Sequence, residues 1–109
     1  MPSARGLMQD TAVRAEAAEM NLVAGRLWAE LGLEGDDLTE RATAARKAFL
    51  LLEGQDLGVH TLYAVAVDAY NAEAYELALE LATEAITRPG PYAEPLAELQ
   101  RLAGEAAAP

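Results

Sequence analysis

The sequence has 109 residues, enough for one domain that buries an apolar core without metals or disulfides. It contains no cysteine, which excludes disulfide bonds, thiolate nucleophiles and cysteine-ligated zinc. Its net charge of −10 repels phosphate and anionic lipid, so nucleic acid and membranes are not expected partners, and a partner selected by charge would be basic.

Alanine, leucine, glutamate and arginine dominate the composition, whereas aromatic residues make up only 6% of it. These are good helix formers, so the composition favours an all-α fold. No apolar run approaches the length of a membrane span, and the start of the chain lacks the apolar stretch of a secretory signal. We therefore expect a cytoplasmic protein.

Residues 1–9 show no periodicity and are expected to be flexible, followed by a single helical domain over 10–107. From residue 10 to residue 33, apolar side chains recur every three or four positions, which predicts one continuous helix. This stripe consists of Val13, Ala17, Met20, Ala24, Leu27 and Leu31. Glycines 32 and 35 indicate where the helix ends.

A second helix is predicted to follow, with Asp36 or Asp37 as its N-cap and Glu40 completing a capping box with Asp37. Residues 57–70 are ambiguous, because their β-branched and aromatic side chains also suit a buried strand. No second segment could pair with such a strand, so we predict a central helix there.

A fourth helix is predicted over residues 72–87, and Arg88–Pro91 contains two prolines that end it. A last helix is predicted from about Ala93 to Ala106. The chain thus predicts five helices, and their short connections imply that neighbours run antiparallel.

The stretch from Leu62 to Pro91 resembles a single tetratricopeptide repeat, a helix–turn–helix unit of about 34 residues. The matching positions are the small residues Ala78 and Ala85, the aromatic residues Tyr63, Tyr70 and Tyr75, and the proline-containing break after Thr87. Val67 and Ala82 depart from the pattern, and the turn between the helices is one residue short. Residues 22–54 could form an earlier, more divergent unit. A small helical bundle is the alternative architecture.

The resemblance implies a concave surface built from the first helix of each pair. It places six residues there as candidate partner-binding positions: Thr61, Ala64, Asp68, Asn71, Arg26 and Glu30. Ordinary solvated positions would show the same pattern. If the surface exists, Asp68 and Asn71 offer hydrogen-bonding groups to a peptide backbone or a basic side chain.

The sequence offers little material for catalysis. His60 is the only histidine, and Ser3 is the only serine and lies far from any apolar helix, so neither a zinc site nor a serine–histidine–aspartate arrangement is expected. The acidic segment Asp36–Thr39 lacks the serine to which acyl carriers attach their prosthetic group. The acidic strip Glu73, Glu76, Glu80 and Glu84 is interpreted as a solvated helix face, with a docking strip for a basic partner as the alternative.

The leading hypothesis is therefore a non-enzymatic protein-interaction module that needs no metal or cofactor. It would act as an adaptor or chaperone and bind a peptide or helix of a basic or amphipathic partner. The alternative is a structural subunit that associates with itself as a homodimer. An enzyme that uses carboxylates alone is the third and weakest hypothesis.

Overall fold

The computed structural model describes residues 3–109; residues 1 and 2 lie outside this range. The described part of the chain contains six α-helices, one short 3₁₀ turn at Gly90–Tyr92 and no strand. The helices are α1 (Ala4–Ala17), α2 (Asn21–Leu33), α3 (Leu38–Leu51), α4 (Asp56–Asn71), α5 (Tyr75–Ala85) and α6 (Ala93–Ala107). The all-α prediction is confirmed, but there are six helices and not five.

The additional helix arises where the sequence predicts one continuous helix over residues 10–33. The chain reverses at Glu19, whose φ of 59° ends α1 in a left-handed conformation. The Met20 amide donates to Ala15 O and the Glu19 amide to Glu16 O, which is the Schellman pattern of a helix end. Glycine usually occupies such a position. A glutamate there gives no sequence signal that the helix ends.

The turn between α4 and α5 is closed in the same way. Glu73 has a φ of 63°, the Ala74 amide donates to Ala69 O, and the Glu73 amide donates to Tyr70 O. Each of the five connections between helices contains one left-handed residue: Glu19, Gly35, Gly54, Glu73 and Gly90. These connections are short, so each helix packs antiparallel to the next.

Residues 4–9, expected to precede the first helix, belong to α1. Ser3 caps this helix by accepting a hydrogen bond from the Gly6 amide. Arg5 then fixes it to the end of α2, because its guanidinium donates to Leu31 O and Glu34 O, both at 2.8 Å. The helix is thus tied to the rest of the domain from its first turn.

Two local predictions are confirmed. Residues 57–70 are helical and lie within α4. Asp37 is the N-cap of α3, since its carboxylate accepts from the amides of Thr39 and Glu40 at 2.9 and 3.1 Å. The predicted capping box is not completed, because the carboxylate of Glu40 lies 3.6 Å from Nε of Arg5 and connects α3 to α1.

The helices form two layers in a slab of 42 × 32 × 16 Å. The even-numbered helices α2, α4 and α6 lie in one layer, where α2 packs directly on α4 and α4 touches α6. The odd-numbered helices form the other layer and are bridged by ion pairs. Lys47 of α3 lies 3.2 Å from Glu16 of α1, and Arg46 of α3 lies 2.8 Å from Glu84 of α5.

Close approach between helices, both within and between the layers, depends on small residues. Gly32 of α2 packs against the backbone of Ala45 in α3 and the methyl group of Thr61 in α4. Gly25 lies against Leu52, and Gly58 against the backbone of α3. The core between them is largely alanine and leucine. Since the side chains are small, the helices come close enough to exclude water without many aromatic residues.

Candidate functional site

The structure divides the predicted stripe on α4 into two groups. Thr61 is fully buried: its hydroxyl donates to Leu57 O at 2.7 Å, and its methyl group faces Gly32. The prediction that Thr61 faces an open surface is therefore wrong. Helix α4 is apolar nearly all round, so the sequence did not determine which side of it faces α2.

Asp68 has a structural partner that the sequence did not reveal. Its carboxylate accepts a hydrogen bond of 2.6 Å from Arg41, and Nε of Arg41 donates to Gly32 O at 2.9 Å. Arg41 is buried, whereas about half of the Asp68 side chain is exposed. Asp68 therefore joins α4 to α2 and α3 through Arg41, and its carboxylate is already engaged in the folded chain.

The solvent-facing side of the even-numbered layer carries a different stripe. On α4 it consists of His60, Ala64, Val67 and Asn71, spaced by four, three and four residues and none of them fully buried. On the neighbouring α2, Leu22 and Arg26 are exposed, with Glu30 one turn further on. We call these seven residues the open face. It retains Ala64, Asn71, Arg26 and Glu30 from the sequence prediction.

His60 and Val67 are the open-face residues of α4 that sequence reasoning missed. The positions 60, 64, 67 and 71 have the spacing of one helix face, but so do the predicted positions 61, 64, 68 and 71. The spacing alone therefore does not determine which of these two faces is open to solvent. At the amino end of α4, Nδ1 of His60 lies 2.7 Å from the Tyr92 hydroxyl, and the rings of Tyr63 and Tyr92 are 5.2 Å apart. This aromatic group fixes the turn before α6 against α4.

The open face ends at an acidic rim. Because α2 and α4 are each antiparallel to α3, they run in the same direction and their carboxyl ends lie at the same edge of the slab. The rim consists of Glu34 and Asp36 after α2 and Glu73 after α4, all exposed. Their carboxylates form no ion pair among residues 3–109, although Arg5 donates to the backbone oxygen of Glu34. The negative ends of two helix dipoles add to these charges.

The opposite end of the open face carries Leu22 of α2 and His60 of α4. Leu22, in the first turn of α2, has 53% of its surface exposed. The surface thus changes from the exposed Leu22 at the amino end of α2 to acidic side chains at the carboxyl ends of α2 and α4.

The acidic strip predicted on α5 is not uniform. Glu80 and Glu84 both contact Arg46, and the hydrogen bond from Arg46 to Glu84 raises the pKa of that guanidinium. Glu73 and Glu76 have no such partner among the described residues. Half of the strip is therefore paired within the fold, which the sequence did not show.

Other kinds of site have little support in the geometry. Across residues 3–109, no three histidine, aspartate or glutamate side chains come together as metal ligands would. In the same part of the chain, no helix combines the length and apolar character needed to cross a bilayer. Ser3 is occupied as the cap of α1.

No protein-family model matches the sequence, no curated protein is significantly similar to it, and no solved structure matches its fold significantly.

Proposed function

We propose that this protein is a non-enzymatic interaction module whose open face binds a peptide or helix of an amphipathic partner. The observation that carries this proposal is the polarity of the open face, which runs from Leu22 at one end to the acidic rim at the other. A partner segment with apolar residues at one end and basic residues at the other would be complementary along its whole length.

Individual side chains of the open face suit a peptide. Ala64 and Val67 offer an apolar centre without bulky groups that would block a bound chain. Asn71 is exposed beside the rim and has both a donor and an acceptor for a peptide backbone. A basic side chain that reached Glu73 or Glu34 would gain an ion pair that the folded chain does not already supply.

We further propose that the fold is an array of helical hairpins of the tetratricopeptide kind. The alternation of layers supports this, since the first helices of such units line one surface. The register in α4 and α5 also supports it: Ala66, Ala78 and Ala85 are all fully buried, so small residues lie where the two helices cross. Placing Ala66 at the small position moves the register of α4 by one residue, so that Val67 no longer departs from the pattern but Tyr63 and Tyr70 no longer match its aromatic positions.

We assign no catalytic residue or cofactor. The Nδ1 of His60 is engaged with the Tyr92 hydroxyl at 2.7 Å. The cytoplasmic location stays a prediction from the sequence.

The proposal can be tested with a displayed library of random peptides of about 15 residues, long enough to follow the length of α4. Selected peptides should contain an apolar end and a basic end. In ¹H–¹⁵N spectra, their binding should shift amide signals of α2 and α4 and leave those of α3 and α5 in place. Selection of no peptide, or shifts confined to α3 and α5, would overturn the proposal.

A pair of variants makes this test specific. Asn71→Arg adds one positive charge beside the acidic rim and should weaken binding of the selected peptides about tenfold. Thr83→Arg adds the same charge at an exposed position of α5, which belongs to the other layer, and should leave binding unchanged. Asp68 is unsuitable for this purpose, because its replacement would also remove the partner of Arg41.

A further inference from the structure

The two ends of the helical slab differ in their surface chemistry. Six large apolar side chains are strongly exposed among the described residues, and five of them lie in α1, α2 or the turn between them. Beyond residue 50, the described chain exposes none. At the other end of the slab, α6 presents charged groups, with Arg101 paired to both Glu98 and Glu105.

The exposed residues of α1 that lie furthest from α3 can be identified from the helix geometry. Arg5, Gln9, Val13 and Glu16 face α3, since the first three line the groove between these helices and Glu16 pairs with Lys47. At about 100° per residue, Leu7, Thr11 and Arg14 lie on the opposite edge of α1. All three are exposed, and Leu7 has 54% of its surface accessible.

Helix α2 has a matching edge. Gly25 and Gly32 mark its side toward α3, because each packs against residues of that helix. Val23, Leu27 and Glu30 lie roughly opposite, at about 140–160° around the helix. Val23 has 45% of its surface exposed, Leu27 is half-buried and Glu30 is exposed. We call Leu7, Thr11, Arg14, Val23, Leu27 and Glu30 the end face.

In stacked helical arrays the terminal units need a polar outer surface to remain soluble. Helix α6 satisfies this requirement and the end face does not. Two copies of the chain repel each other least at this end of the protein. Residues 1–33 carry three basic and four acidic side chains, whereas residues 57–109 carry two basic and eight acidic side chains. A second copy of the chain can therefore approach here at the lowest electrostatic cost.

The end face carries one basic and one acidic side chain, which can pair between two copies of the chain. Arg14 and Glu30 are exposed, have no ion-pair partner among residues 3–109 and lie on the two antiparallel helices of the hairpin. In a two-fold symmetric contact each surface meets its own copy, so Arg14 can pair with Glu30 of the partner subunit, twice.

We propose that the protein forms a symmetric homodimer through the end face, in which the α1–α2 hairpins of two copies pack as four helices. Leu7, Val23 and Leu27 form the apolar centre, and two Arg14–Glu30 pairs flank it. Each hairpin is about 20 Å long and two helices wide, at the small end of specific interfaces, so the dimer dissociates in the micromolar range.

Sedimentation or light scattering over about two decades of concentration around the micromolar range tests this directly. The mass should rise from 11.6 kDa toward twice that value. Leu7→Glu and Val23→Glu should each hold the protein at 11.6 kDa. Leu50→Glu is the matched control: Leu50 is the most exposed large apolar residue, at 70%, but lies on α3 away from the end face, so this variant should still dimerise.

A charge exchange separates this interface from any other mode of association. Arg14→Glu and Glu30→Arg should each weaken dimerisation about tenfold, because both symmetric pairs become repulsive. A one-to-one mixture of the two variants should recover the affinity of the parent, since both pairs are then of opposite charge. Circular dichroism and the fluorescence of Trp28, the single tryptophan, verify that each variant is folded.

A parent that stays at 11.6 kDa over the whole range would overturn the proposal. So would a dimer that survives Leu7→Glu, or a mixture of charge variants that associates no better than either alone. Peptide binding at the open face can fail or succeed independently, because the two surfaces share only Glu30 and the peptide test uses Asn71.

Discussion

Gly32 offers the most direct test of how the helices pack. A β-carbon at this position would lie 2.8 Å from the methyl carbon of Thr61 and 3.1 Å from the backbone nitrogen of Ala45. The Thr61 side chain is fully buried and the nitrogen belongs to α3, so neither can retreat without moving a helix. Gly32→Ala should therefore act as overpacking of a closely packed core.

The expected magnitude follows from two opposing effects. Overpacking costs about 1–3 kcal/mol, and the rigid backbone neighbour favours the upper half of this range. Alanine in place of glycine in a helix returns about 1 kcal/mol. The net result should be a loss of about 1–2 kcal/mol in the free energy of unfolding, measured by urea denaturation followed by circular dichroism.

Gly104 of α6 provides the matched control. Its β-carbon would lie 3.9 Å from the nearest atom outside its own helix, Cδ1 of Leu79, which is an ordinary contact. Gly104→Ala should therefore stabilise the protein by about 0.5–1 kcal/mol. Adding Thr61→Ser to Gly32→Ala should recover part of the loss, because it removes one of the two clashes. If Gly32→Ala were as stabilising as Gly104→Ala, the close approach of α2 to α3 and α4 would be refuted.

Three further predictions concern single side chains. Glu73→Gly should stabilise the protein by about 0.5–1 kcal/mol, because glycine adopts the left-handed conformation of this turn without the cost that a side chain incurs; thermal unfolding measures it. Arg41→Met should cost about 2–3 kcal/mol in urea denaturation, since Gly32 O and Asp68 both lose a donor, whereas Asp68→Asn keeps an acceptor and should cost only about 1 kcal/mol. The hydrogen bond from Arg101 lowers the pKa of Glu98, so Arg101→Gln should raise it in an NMR titration.

Each of these predictions has an outcome that contradicts it. Loss of stability in Glu73→Gly would mean that the turn is not left-handed at this residue. Equal costs for Arg41→Met and Asp68→Asn would show that the bond to Gly32 O adds nothing. The Glu98–Arg101 pair favours folding above the ordinary pKa of the carboxyl group and loses this effect as the pH falls through the lowered pKa. If the pKa of Glu98 were the same in Arg101→Gln as in the parent, the pair would not contribute to the pH dependence of folding.

Much of the helix content could be read from the sequence. The stripes of alanine and leucine have the helical period, and Asp37 and the prolines around residue 90 are local signals whose effect does not depend on distant contacts. The absence of cysteine and the excess of acidic residues are likewise properties of the chain itself. These features sufficed for an all-helical fold and for the position of most helix ends.

Only the tertiary structure revealed the turn at Glu19 and the orientation of α4. A glutamate gives no local signal for a left-handed turn; the chain reverses there because Ala12 and Ala15 of α1 become buried against α2. Helix α4 is apolar on most sides, so its rotational phase depends on contacts with Gly32 and Arg41, which come from other helices. The candidate surface therefore moved from Thr61 and Asp68 to His60 and Val67, since exposure is set by neighbours and not by spacing alone.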